Sequence, residues 1–87
     1  MGVKFVFLGK LADLAGAHQR DFVEADGLVD WTDLVAWLEV WSSPDLSNAI
    51  AGEKVRIAIN GELLKDKAAF AARDGDEVAF LPPVSGG

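Results

Sequence analysis

Hydrophobic and polar positions alternate from the start of the chain. Val3, Phe5 and Phe7 share one parity, and Lys4, Val6 and Leu8 share the other. This β-branched and aromatic run predicts a strand over 3–8, with Lys4 marking the second parity as the wetter face. Gly9 and Gly16 punctuate the next stretch, so a turn-rich connection is expected there. A second strand is expected over 18–25, where neither parity of Phe22 and Val23 makes a clean apolar face, and Asp26-Gly27 breaks it.

The period then changes. Trp31, Leu34, Val35, Leu38 and Trp41 fall at i, i+3, i+4, i+7 and i+10, the stripe of an amphipathic helix whose apolar side lies on a sheet. Asp30 suits the N-cap, and Asp33 three residues on completes something close to a capping box. Trp31 and Trp41 belong to the core side, with Trp37 at its margin. Ser42-Ser43-Pro44 stops the helix, and Pro44 can open a further short helical segment toward Ile50, closed by Gly52 and expected to act as a connector.

From Lys54 to Asn60 alternation returns, with Val55, Ile57 and Ile59 on one side and Arg56, Ala58 and Asn60 on the other. Asn60-Gly61 is a tight-turn signal. Leu63-Leu64 reads as a short return strand, 67–72 as a helical turn, and Asp74-Gly75-Asp76 as a turn into a last strand over 77–81. Strand, strand, helix, strand, short strand, strand in so few residues predicts an α+β fold of the β-grasp kind. That is a mixed four- to five-stranded sheet curled around one main helix.

Bulk properties narrow the function. At 87 residues the chain is one domain, expected to bury roughly 60–65% of the surface its unfolded form exposes. Fourteen acidic against eight basic side chains give a net charge of −6, which offers a phosphate backbone nothing, so no nucleic-acid partner is expected. There is no cysteine, which removes disulfides, thiolate metal sites and thiol nucleophiles. No apolar run approaches the ~20 residues of a membrane span, and the start resembles neither a secretory signal nor a myristoylation site. No membrane association is expected, and the location is expected to be cytoplasmic. The lone His18 offers no acid–base pair. Asp74 and Asp76 are too few oxygen ligands for a calcium loop, so no metal is expected.

The end of the sequence carries more. After Leu81 it reads Pro82-Pro83-Val84-Ser85-Gly86-Gly87. Two prolines impose an extended path without backbone donors, so residues 82–87 are expected to project from a body over 1–81. Glycines lack a Cβ, so such a tail can thread a channel too narrow for side chains and present its carboxylate at the far end.

Residues 74–87, Asp-Gly-Asp-Glu-Val-Ala-Phe-Leu-Pro-Pro-Val-Ser-Gly-Gly, resemble the C-terminal signature of molybdopterin synthase small subunits, a ubiquitin-like sulfur-carrier family. Lys4 to Leu8, followed by Leu11, Leu14 and Gly16, is similar to that family's first strand and turn. The resemblance implies that Gly87 is the reacting residue, through its carboxylate, and that Pro82, Pro83, Val84, Ser85 and Gly86 form the inserted tail. It implies an adenylating enzyme of the ubiquitin-activating type that uses ATP, a persulfide sulfur donor, and a large synthase subunit that holds a pterin precursor and the catalytic groups. Carrier and large subunit are then expected as a heterotetramer, with no cofactor bound to the carrier itself. The chain departs from the family at Ala12, where an arginine is common, and at Ala72, where a leucine is usual. The first departure concerns a salt bridge to a partner and the second concerns packing.

Alternatives of the same chemistry are a carrier for thiamine or cysteine synthesis and a protein modifier conjugated through Gly87. A plain interaction module with an idle tail is a third. Parity also points to a docking face. Val78 and Phe80 share one side of the last strand, while Glu77 marks the side of Ala79 and Leu81 as outward. Val6 and Leu8 follow Lys4 outward on the first strand, and the resemblance adds Leu63, so these five residues are expected to meet a partner. The competing reading is that the connection after Gly9 or the short helical turn covers them.

Overall fold

A computed structural model describes residues 2–22 and 28–83. Strand β1 (Val3–Phe7) buries Val3, Phe5 and Phe7, as alternation predicts. Gly9 then turns the chain: its φ of 55° is open chiefly to glycine, and the Leu11 N–H donates to the Leu8 carbonyl at 3.1 Å. The expected turn-rich connection is instead a helix, α1 (Lys10–Ala15), which buries Leu11, Ala12 and Ala15 and ends at left-handed Gly16. Strand β2 (Gln19–Phe22) returns antiparallel to β1 within the expected 18–25, whose part beyond Phe22 is not described. Residues 23–27, including the Asp26-Gly27 break, lie outside the described residues.

Strand β3 (Leu28–Asp30) leads into α2 (Trp31–Trp41) through a full capping box: the Asp33 N–H donates to Asp30 Oδ1 at 2.9 Å, and the Asp30 N–H to Asp33 Oδ2 at 3.3 Å. Leu34 and Leu38 are wholly buried. Helix α3 (Pro44–Ala51) is capped by Ser43, whose hydroxyl accepts from the Leu46 N–H. A connector is expected at this point, yet Leu46 and Ile50 are fully buried, so α3 is a second core helix. Its C-terminal end is held by Lys67, whose ammonium donates to the carbonyls of Ile50 (2.6 Å) and Gly52.

Strands β4 (Arg56–Ile59) and β5 (Glu62–Leu63) are joined through Asn60 and Gly61, both at positive φ (52° and 87°), the geometry that the Asn-Gly pair favours. A 3-10 turn (Lys67–Ala69) comes next. The helical turn expected through Ala72 stops there, because Ala71–Arg73 forms β6, paired with β3. Strand β7 (Glu77–Leu81) ends the described body.

The main sheet runs β2-β1-β7-β4-β5, with β1 and β7 parallel and the other pairs antiparallel, and β3-β6 makes a small second sheet. This is the mixed five-stranded β-grasp arrangement. Its core is an aromatic stack: Phe80 lies 5.7 Å from Phe5 and 5.2 Å from Phe7, Trp37 covers Phe5 at 4.8 Å, and Trp41 covers Phe7 at 5.5 Å. Trp37, expected at the margin of the helix stripe, is half-buried and packs against the core from there, and Arg20 lies 5.5 Å over the Trp41 ring.

Candidate functional site

Strand β7 occupies the centre of the sheet, so its two faces meet different fates. Val78 and Phe80 point into the core, while Glu77, Ala79 and Leu81 point away from it. Register then assembles an outer row across four strands: Val6 opposite Ala79, Ala79 opposite Ala58, and Ala58 opposite Leu63. One step toward the tail, Leu81 faces Arg56 across β4, and the Leu8 N–H donates to the Phe80 carbonyl at 3.2 Å, extending the β1–β7 ladder. One step the other way, the row is charged: Asp21, Lys4 and Glu77. The apolar part of the face therefore lies at the end from which the tail leaves.

Leu8 is 40% exposed and Leu63 56%, so neither α1 nor the 3-10 turn covers them. Val6, Ala79 and Leu81 are half-buried. All five residues expected on this face are there, and Leu63 is placed by its pairing with Ala58. Sequence reasoning passed over Ala58 and Arg56, although their shared parity with outward Asn60 was visible.

The base of the tail is fixed by contact. Gly9 faces Pro82 so closely that an added Cβ would stand 3.0 Å from Pro82 Cγ. Pro82 and Pro83 line a groove of about 900 Å3 together with the apolar side chains of Leu11, Leu14, Ala49 and Val55. Val84, Ser85, Gly86 and Gly87 lie outside the described residues.

At the far end of the sheet, the Asp76 carboxylate accepts from the Arg73 N–H (2.9 Å) and from Asn60 Nδ2 (3.0 Å), while Asn60 Oδ1 accepts from the Glu77 N–H at 2.9 Å. The backbone N–H of Arg73, with help from Asn60, holds this carboxyl below its ordinary value. Asp76 thus ties two turns together. Burial lowers the Lys67 ammonium from its usual value, with Glu53 pulling the other way. Among the described residues no helix is long and apolar enough to cross a membrane.

The ThiS family matches residues 5–87. The molybdopterin synthase sulfur carrier subunit of Chlamydomonas reinhardtii is 32% identical over 87 residues, the full length of both chains. SAMP1 of Haloferax volcanii superposes with a TM-score of 0.75 at 28% identity, covering 98% of each chain. A structure of the complex of subunits 1 and 2 of molybdopterin-converting factor from Helicobacter pylori superposes with a TM-score of 0.62 at 28% identity, over 100% of each chain. With a family match that runs from the first strand to Gly87 and a relative aligned end to end, the chain belongs to the ThiS family.

Proposed function

We propose that the protein is the sulfur carrier of a molybdopterin synthase, donating sulfur from a thiocarboxylate at Gly87. The observation that carries this reading is full-length similarity to a relative named as that carrier subunit. The placement of an apolar sheet face beside the base of the Pro-Pro tail supports it.

A carboxylate resists nucleophiles, so it must be activated. An adenylating enzyme joins it to the α-phosphate of ATP with loss of pyrophosphate. A persulfide sulfur then attacks the acyl carbon, AMP leaves, and cleavage of the remaining S–S bond by a thiol frees the thiocarboxylate. The large subunit receives the tail and supplies the acid–base groups that transfer sulfur to a pterin precursor, and two carriers serve each product. The body of this chain docks through Leu8, Leu63 and Leu81, with Val6 and Ala79 beside them.

A second reading is favoured by the likeness to SAMP1, a small archaeal modifier protein: the same activated carboxyl passing to a lysine amine. Intact mass after co-expression with an adenylating enzyme and a persulfide donor tests both. The carrier reading expects one oxygen exchanged for sulfur, and the modifier reading expects isopeptide-linked adducts. An unaltered mass would sink both.

A further inference from the structure

The chain carries a net charge of −6, yet its cations are not spread evenly. Lys10 opens α1 directly after the Gly9 turn, and Lys10 and Lys54 both line the groove that Pro82 and Pro83 also line. Arg56 lies directly across from Leu81, the last residue before the tail, and shares its outward face. All three are exposed, and none of their side chains makes an ion pair or hydrogen bond among the described residues. The groove's one carboxylate, Glu53, acts on Lys67, and Asp13 of α1 does not line it. Away from the tail the balance reverses: Asp21, Glu62, Asp74, Asp76 and Glu77 outnumber Lys4, Arg20 and Arg73.

We propose that Lys10, Lys54 and Arg56 form a basic collar around the base of the tail that selects a protein partner whose tail-receiving mouth is ringed with carboxylates. The collar shares the groove with Leu11, Leu14 and Val55 and adjoins Leu81, so the fitting surface is an apolar ridge flanked by acidic side chains. Charge sorting of this kind orients an acidic molecule tail-first during approach, which raises the association rate in a salt-dependent way. The inference rests on the carrier reading in that a partner must receive the tail.

The test measures association of the carrier with the large synthase subunit of the same organism, at low and high salt. The double variant Lys54→Glu/Arg56→Glu is expected to slow association at least about tenfold at low salt, with the gap closing at high salt. Lys10→Glu, on a different element, is expected to act in the same direction. The control Lys4→Glu/Arg73→Glu changes net charge equally at the other end and is expected to stay within about twofold. Equal loss in both double variants, or none in either, overturns the collar. So does binding of a single-stranded oligonucleotide by the wild type that Lys54→Glu/Arg56→Glu abolishes, since the collar would then serve phosphates. A wild-type carrier that fails to bind the large subunit overturns the carrier reading and the collar together, which separates that failure from the others.

Discussion

Leu81 closes the last strand with its side chain on the outer face and is followed at once by Pro82, so one residue serves both the patch and the tail. Burying a leucine of this kind against a partner is worth ~1.5–3 kcal/mol, so Leu81→Glu is expected to weaken the complex with the large subunit by at least about tenfold. Its monomer is expected to stay folded, because Phe80 and Val78 hold the strand from the other side. Titration together with a thermal melt checks both halves. Asp76 makes a different prediction. Its folded pKa lies below the ordinary value of 3.8, so its contribution is fully present above that value and is lost as pH falls through the lowered one. Asp76→Asn is therefore expected to be less stable than wild type at neutral pH, with the gap narrowing in acid, as denaturant midpoints across pH would report. Side-chain parity was legible at this scale in β1 and β7, since each strand buries one face only. Leu63 was not, because a two-residue strand has no period of its own and only its register with Ala58 sets its side.

At the scale of elements, what the sequence concealed is what is short. Helix α1 fits six residues between two glycines, too few to display a period of 3.6, and its glycines read equally well as turns. Strand β6 is Ala-Ala-Arg, without a β-branched or aromatic residue, and it exists because β3 offers it a partner. The 11-residue α2, by contrast, announces both its cap and its stripe, and both form. Helix α3 is legible in position but not in weight, because Leu46 and Ile50 one turn apart look like any short amphipathic segment until the sheet beneath them is seen. Leu46→Ala is expected to cost ~2–5 kcal/mol of unfolding free energy, the range for a leucine emptied from a packed core. A loss of only about 0.5 kcal/mol in equilibrium denaturation would return α3 to the role of a linker.

Taken as a whole molecule, the packed body and the proposed reaction at Gly87 are expected to fail independently. One residue added after Gly87, or Gly87 removed, is expected to abolish sulfur transfer while leaving the melting temperature unchanged, because the buried hydrophobic residues among those described end at Phe80. Normal product formation by an extended carrier that mass spectrometry shows to be untrimmed would contradict this. The pairing of β1 with β7 has a mechanical consequence. The two strands run parallel at the centre of the sheet, so the start of the first and the end of the last lie at opposite ends of one hydrogen-bonded ladder. A pull on the tail resisted at the start of the chain loads that ladder in shear, with every bond sharing the force at once. Tension across the edge strands β2 and β5 instead peels them away pair by pair. Held at Val3 and Pro83, single molecules are expected to rupture in one step at higher force than when held at Gln19 and Leu63. A body loaded this way holds its shape under tension applied at Pro83.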